Sequence, residues 1–374
     1  MKIGIPKERR ANETRVAATP ETVKKLKGLG LDVAVEAGAG AASYFADQDY
    51  AGAGAAIVSQ GEALSADIVL KVMRPTDDEL AAMKRNAMLA AVLAPYADKA
   101  SVAKYAGAGV NAFAMEFMPR ITRAQSMDVL SSQSNLAGYK AVVDAAGIYG
   151  RAFPMMMTAA GTIAPARVFI MGVGVAGLQA IATAKRLGAI VSATDVRAAT
   201  KEQVQSLGGN FVMVEDEESK QAETAAGYAK EMSDAYKKKQ AALIAETIKK
   251  QDIVITTALI PGRPAPVLVT EEMVRSMKPG SVIIDLAAEQ GGNCPLTKAG
   301  ETVEVNGVKI VGAVNLAGRL SADASSLYAR NLYNFLAPLI DKTTKALNID
   351  WNDEIVKGTC LTRDGEIVHP AVKS

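Results

Sequence analysis

The sequence predicts an α/β protein of two doubly wound, mostly parallel sheets with a cleft between them, the first domain being discontinuous in the chain. Three observations predict it. Short continuous apolar runs alternate with amphipathic helical stretches, which is the pattern of strands buried on both faces. The alternation stops at a polar break and then starts again. The chain has 374 residues, which at roughly 150 per domain suits two domains.

In the N-terminal stretch, KIGI (2–5), DVAVEA (32–37), DIVLKV (67–72), MLAAVL (88–93) and VNAFAM (110–115) read as strands. PETVKKLKGL (20–29), DDELAAMKR (77–85) and KASVAKYAG (99–107) read as the helices between them. Pro119 to Pro154 is rich in Ser, Gln and Asn and then helical, a connection that leaves one sheet for the other. RVFIM (167–171), AIVSAT (189–194), FVMV (211–214), DIVIT (252–256) and SVIID (281–285) are the second set of strands. A helical run, Ala322–Leu347, and a tail with a turn at Arg363-Asp364-Gly365 are too short for a third core and are expected to pack back on the first domain. The expected domains are therefore 1–130 with 321–374, and 131–320. Glu215–Lys250 departs from the pattern, with 15 charges in 36 residues where a crossover is normally shorter. It reads either as a solvated excursion or as a mobile lid over a ligand.

Composition excludes several classes of function. Lys plus Arg (42) nearly balance Asp plus Glu (40), leaving a net charge of +2, so nothing supports a nucleic-acid binder. Hydrophobic residues at 49% exclude intrinsic disorder. Cys294 and Cys360 are too few for a disulfide framework or a thiolate metal cluster, and a reducing compartment is the default. The start, MKIGIPKERRANETR, lacks the apolar region of a signal peptide. The longest uncharged stretches, Ala152–Ala166 and Val168–Ala184, fall short of a membrane span, so a soluble chain is expected. The sole histidine, His369, sits five residues from the C-terminus and reads as a tail or hairpin-end residue without a chemical role. A histidine base, a histidine-held metal or a Ser-His-Asp triad would have to use that residue.

Gly172-Val173-Gly174-Val175-Ala176-Gly177 is a GxGxxG, and in a chain that also holds Gly38-Ala39-Gly40 and Gly52-Ala53-Gly54 the motif alone says little. Context gives it meaning. RVFIM runs directly into Gly172, LQAIATAKRL (178–187) follows as a helix, and AIVSAT ends on Asp195, 18 residues beyond Gly177. In a Rossmann-like domain Gly172 makes the tight turn, Gly174 lets backbone approach a pyrophosphate, and Gly177 lets the helix pack against the strand. Val175 and Ala176 open that helix, whose free N–H groups face the phosphates. Asp195 lies where a carboxylate accepts from the ribose hydroxyls and repels a 2′-phosphate, which favours NAD(H) over NADP(H). In Asp195-Val196-Arg197 the arginine pulls the other way, since a nearby guanidinium can accommodate that phosphate.

Between the two sets of strands, Met118 to Asn135 is dense in hydrogen-bonding groups and poor in groups that titrate near pH 7. At helical spacing Gln125, Asp128 and Ser132 share a face; if some of the run is a loop, Ser131 joins them. The segment reads either as a capped helix start or as a site that orients an amide such as nicotinamide.

PRITRAQSMDVLSSQSN, FPMMMTAAGT, GVGVAGLQAIATAKRLGA with TDVRAATKEQV, ITTALIPGRPAP and VIIDLAAEQGGNCP together resemble the NAD(H)-binding component of proton-translocating nicotinamide nucleotide transhydrogenases. The resemblance runs from IPKERR to DGEIVHP. It implies that Arg120, Gln125, Asp128 and Ser131 surround the nicotinamide, with Arg120 pairing Asp128 or touching the cofactor. It implies pyrophosphate binding at Gly172–Gly177, ribose binding at Asp195, a mobile loop around Gly227-Tyr228 closing toward Gln240, and Ala258 and Leu259 beside the nucleotide. It also implies partners: a soluble NADP(H)-binding component, a membrane proton-channel component, and a second copy of the chain in a homodimer. The subunit would be cytoplasmic and peripheral to the membrane. Hydride transfer between two nicotinamides needs no acid or base, so the protein's task is orientation, with the two ring carbons held within ~3–3.5 Å.

The same family is similar to alanine dehydrogenases, through Lys7-Glu8, Glu13-Thr14-Arg15-Val16-Ala17 and Thr19-Pro20, including the arginine that binds substrate carboxylate. Where those enzymes read Lys-Val-Lys, this chain has Lys71-Val72-Met73, and AVLAPY (91–96) lacks their acid-base histidine. Their catalytic aspartate falls on Glu289. Amine oxidation needs proton transfers beside the hydride, so an amino-acid oxidoreductase is the alternative reading. A non-catalytic NAD(H)-responsive binding protein is a third.

Overall fold

The computed structural model describes residues 1–215, 233–260 and 262–373. They form two compact units, 1–133 with 317–374, and 134–316.

The first unit is built on a six-stranded parallel sheet of β1 (Lys2–Ile5), β2 (Asp32–Glu36), β3 (Ala56–Val58), β4 (Ile68–Met73), β5 (Met88–Val92) and β6 (Asn111–Ala114), in the order β3-β2-β1-β4-β5-β6. The strands β4, β5 and β6 feed both faces. Ile68 and Leu70 of β4 enter one core with Ile3, Ile5, Val33 and Val35, while Val69 enters a second core with Leu89 and Ala91. That is why these strands read as unbroken apolar runs. Gly4 sits so close to the covering helix Gln60–Leu64 that a Cβ there would lie 1.7 Å from the Ala63 carbonyl oxygen. Asp47–Gly52, β3 and Gln60–Leu64 were not expected from the sequence, because elements this short show no periodicity.

The chain returns to this unit with the helix Ser321–Leu336, whose Leu332, Phe335 and Leu336 enter the first core. It ends well before Leu347: Ala337–Leu339 is a 3-10 turn carrying Pro338, which cannot donate to a continuing helix. The tail forms a helix, Glu354–Thr359, and a two-stranded hairpin, Thr362–Arg363 with Glu366–Ile367. Asp364 (φ 52°) and Gly365 (φ 84°) make its turn.

The connection to the second unit is a 3-10 stretch, Thr122–Met127, and a 20-residue helix, Val129–Ile148, within which the division between units falls. The second unit opens with an exposed two-stranded hairpin, β7 (Met156–Thr158) and β8 (Gly161–Ile163). Its main sheet has seven strands: β9 (Arg167–Met171), β10 (Ile190–Thr194), β11 (Asn210–Phe211), β12 (Ile253–Thr256), β13 (Val282–Asp285), β14 (Thr302–Val305) and β15 (Val308–Gly312). The order is β11-β10-β9-β12-β13-β15-β14, and only β14 is antiparallel to its neighbour. On β9, Val168 and Ile170 point into one core, Phe169 and Met171 into the other. FVMV contributes only Phe211 to β11, beside Asn210. The hairpin β14–β15 was also not expected; it turns on Asn306 and Gly307, both at positive φ. Among the described residues no helix is long and apolar enough to cross a membrane.

Candidate dinucleotide site and nicotinamide loop

In doubly wound sheets ligands sit at the carboxyl ends of the strands where the strand order reverses. In the second unit that point lies between β9 and β12. Gly172 leaves β9 at φ 104°, its N–H donates to the Thr194 carbonyl at 2.9 Å, and its carbonyl accepts from Thr257 Oγ1 at 3.0 Å. A Cβ on Gly177 would lie 2.0 Å from the Gly172 carbonyl oxygen, so the helix Val175–Arg186 packs directly onto the turn. Gly174 is the N-cap of that helix, makes no side-chain cap, and has open space where a Cβ would be. Val175 is exposed and Ala176 half-buried beside it. The first-turn N–H groups of such a helix lack intrahelical partners. The turn therefore fits a pyrophosphate: donors face outward over a surface that only backbone lines.

Asp195 follows β10 and is held from four directions. Its Oδ2 accepts from Val173 N at 2.7 Å and Arg197 Nη2 at 3.0 Å; its Oδ1 accepts from Arg197 N and Nε, both at 2.9 Å. Burial alone raises the carboxyl, but these bonds outweigh it and hold Asp195 below the usual carboxylate range. Val196 projects into solvent. Gln240, on the helix Asp234–Ile248, ties that helix to the sheet: Oε1 accepts from Val214 N at 2.8 Å, and Nε2 donates to Thr194 Oγ1 and the Val212 carbonyl, both at 3.3 Å. Gly227 and Tyr228 lie outside the described residues.

Across the strand reversal, β12 runs into Thr257, Ala258 and the exposed Leu259. Two residues that the sequence did not single out hold this loop. Asn293, fully buried, accepts from Ala258 N at 3.1 Å and donates to the carbonyls of Ala258 and Pro266, both at 2.8 Å. Asp285, at the end of β13 and fully buried, accepts from Thr256 Oγ1, Ala287 N, Asn293 N, Cys294 N and Thr297 Oγ1. Both lie in VIIDLAAEQGGNCP, but no local spacing rule marks a residue whose partners come from distant strands.

In the first unit the helical face of Gln125, Asp128 and Ser132 does not form. The chain passes from the 3-10 turn to extended backbone at Asp128 (φ −74°, ψ 96°) before the next helix begins. Asp128 instead meets Ser131, accepting from its N at 2.9 Å and its Oγ at 2.5 Å, as an N-cap does. Both carboxylate oxygens thus turn to Ser131, while Arg120 and Gln125 stand exposed. Ser132 turns away, donating to Asn331 Oδ1 at 2.7 Å. Asn331 in turn donates to the Ser126 carbonyl at 2.8 Å, tying the loop to the helix Ser321–Leu336.

The first unit has its own strand reversal, between β1 and β4, and it is closed by charge. Lys71 is buried 3.3 Å from Glu8 and 3.1 Å from Glu79, and Val72 N donates to Glu8 at 2.7 Å. Arg15 is buried against Glu13 (2.6 Å) and Gln133 (2.8 Å). Met73 ends β4, and Ala94 follows β5 at φ 49°, its N–H donating to Glu116. Neither side chain can move a proton. In the second unit Glu289 accepts from Asn315 N at 3.2 Å. His369 is packed rather than loose: its ring lies 4.8 Å from that of Phe117, Nε2 is 3.1 Å from the Gly358 carbonyl, and burial lowers its pKa. Among the described residues no group of His, Cys, Asp and Glu could hold a metal ion.

Comparison with known proteins agrees with this geometry. The N-terminal domain of the alanine dehydrogenase/PNT family matches residues 4–137 and its C-terminal domain matches residues 141–370. An NAD(P) transhydrogenase alpha subunit of Rhodospirillum rubrum is 61% identical over 379 residues, covering 100% of this chain and 99% of that protein. The crystal structure of transhydrogenase from Sinorhizobium meliloti superimposes with a TM-score of 0.91 at 56% identity, covering 98% of this chain and 100% of that one. Alanine dehydrogenase of Mycolicibacterium smegmatis is more distant, at 29% identity over 381 residues, covering 100% of this chain and 96% of that enzyme. The chain belongs to the alanine dehydrogenase/PNT family and, within it, to the NAD(P) transhydrogenase alpha subunits.

Proposed function

We propose that this chain binds NAD(H) and passes hydride directly between its nicotinamide and that of NADP(H) held on a partner polypeptide, coupled to proton translocation by a membrane component. The observation that carries the reading is the pairing of an uncapped helix start at Gly174 with a backbone-oriented carboxylate at Asp195, on either side of Val173, at the strand reversal of the second unit.

NAD(H), when bound, supplies the ring that gives or takes the hydride. The chain's own residues position it. The N–H groups after Gly174 hold the pyrophosphate, Asp195 accepts from the adenosine ribose, and Ala258 and Leu259 line the nucleotide on the β12 side. Arg120, Gln125, Asp128 and Ser131 hold the nicotinamide and its carboxamide, with Asp128 kept in place by Ser131. None of this work moves a proton, which suits a ring-to-ring transfer. Met73, and a stretch AVLAPY (91–96) without a histidine, leave amine oxidation without its proton carriers.

The exposed hairpin β7–β8, with Met155, Met156, Met157 and Ile163 in solvent, supports a homodimer in which a second copy covers that apolar surface. The subunit then sits at the cytoplasmic face of the membrane, held there by its membrane partner.

A reconstituted assay tests the proposal. It follows NADH-dependent reduction of an NADP+ analogue with and without an NADP(H)-binding partner, beside a well containing alanine and NAD+. Turnover is expected only with the partner, and Asp128→Asn or Gln125→Asn should lose transfer while largely keeping NADH binding. Turnover of alanine by the chain alone, or unchanged transfer in both variants, overturns the reading.

A further inference from the structure

A carboxylate has about four acceptor positions, and at Asp195 all four are taken. Two are filled by backbone N–H groups, of Val173 and Arg197, which the ends of β9 and β10 fix in place. The other two are filled by the Arg197 side chain, whose Nε and Nη2 straddle the carboxylate at 2.9 and 3.0 Å. Nη2 also donates to the Val173 carbonyl at 3.2 Å, so the guanidinium bridges the carboxylate and the glycine turn. The two partners differ in freedom: the Asp195 side chain is 7% exposed and that of Arg197 is 47% exposed.

A ribose diol must donate two hydrogen bonds to this carboxylate. The donors that can leave while the turn keeps its backbone are those of the Arg197 side chain, at the loss of one bond to the Val173 carbonyl. We propose that Arg197 is a removable plug of the ribose site, a specificity-determining residue displaced only by a ligand that brings two hydroxyl donors to Asp195. This inference rests on the NAD(H) reading of the site.

Two consequences follow from simple competition. The apparent affinity for NAD(H) is lowered by the fraction of molecules in which the plug is in place, which favours exchange of the nucleotide between turnovers. Selectivity is sharpened as well. A 2′-phosphate offers no donor to replace the guanidinium, and it meets Asp195 as a like charge. While Arg197 holds its own carboxylate through Nε and Nη2, it has only Nη1 to offer that phosphate and not a two-pronged grip. The arginine next to the ribose acid thus opposes NADP(H) here rather than admitting it.

The test is calorimetric titration of the full chain and of Arg197→Ala with NADH, with the 2′,3′-dideoxyadenosine analogue of NADH, and with NADPH. Arg197→Ala should bind NADH about two- to tenfold tighter at low salt, as expected for removing a half-exposed ion pair. The gain should shrink as salt screens the pair, vanish for the dideoxy analogue, and not extend to NADPH. Arg197→Lys, which keeps the charge but loses the two-pronged donor, should show a smaller gain. NADH binding that is unchanged or weaker in Arg197→Ala overturns the plug, and so does an equal gain for the dideoxy analogue. A parent chain that fails to bind NADH overturns the NAD(H) reading itself, a result distinct from either.

Discussion

The Asn293 carboxamide brackets Ala258 from both sides of its peptide plane, accepting from its N–H at 3.1 Å and donating to its carbonyl at 2.8 Å. A residue 35 positions away thereby sets the backbone of the loop that follows β12. Asp285 sets Asn293 in turn, through the Asn293 N–H at 2.8 Å. The loop that follows β12 is held by two fully buried polar side chains rather than by its own turn chemistry.

Asn293→Ala removes a buried side chain and strips three hydrogen bonds from half-buried backbone groups, and should destabilise the second unit by about 1–3 kcal/mol. NADH affinity should fall with it, because the Ala258–Leu259 backbone loses its fixed position. Thermal unfolding and NADH titration check both effects. An unaltered melting temperature would show that the network is not what holds the loop.

Gly174 and Gly177 should separate binding from folding. Gly174→Ala meets open space in the protein, so its stability loss should stay within about 1 kcal/mol, yet its methyl occupies the pyrophosphate's approach and NADH affinity should drop at least about tenfold. Gly177→Ala drives a Cβ to 2.0 Å from the Gly172 carbonyl oxygen and should lower stability by about 3 kcal/mol. Equal effects of the two substitutions on melting temperature would contradict this division.

Lys71 should be among the most sensitive positions of the first unit. Lys71→Met leaves Glu8 buried without its cation and Glu79 with only Arg9 at 3.9 Å, which should cost about 3–5 kcal/mol. Neutralising the acids as well, in Glu8→Gln/Lys71→Met/Glu79→Gln, should recover most of that loss. Urea unfolding of the single and triple variants decides it; a single variant as stable as the parent would mean that the buried carboxylates protonate at little cost.

Glu116 predicts a dependence on pH. Burial pushes its carboxyl above the usual 4.5, only partly offset by backbone N–H donors that include Ala94 and Leu93. The folded state then holds this proton more tightly than the unfolded chain. Its contribution is fully present below the usual carboxylate range and is lost as pH rises through the folded value. Burial likewise raises Glu8, against the opposing pull of Lys71, and so adds the same sign. His369, whose pKa burial lowers, contributes the opposite sign in the same range, so the test is the difference between chains. Unfolding free energies measured in steps from pH 4.5 to 8 should fall more, or rise less, in the parent chain than in Glu116→Gln. The same pH dependence in both would assign the effect elsewhere.

Much of the framework is legible in the amino-acid sequence because it depends on near neighbours. Strands such as RVFIM show as apolar runs since both faces of a parallel sheet are covered, and the strand–turn–helix around Gly172 needs only residues 167–186. The hairpin β14–β15 was equally legible through its Asn306-Gly307 turn, a two-residue signal that the apolar pattern passes over. Pro338 likewise marked the end of the helix that the apolar pattern carried on to Leu347. What only the tertiary structure decided is pairing between distant positions: Asp195 and Arg197 both closed onto Val173, Asn293 around Ala258, Ser132 turned to Asn331, Lys71 between Glu8 and Glu79. The physical reason is that an apolar run announces its burial by itself. A polar side chain reveals its role only through the partner that folding brings to it, and that partner leaves no trace in the local sequence.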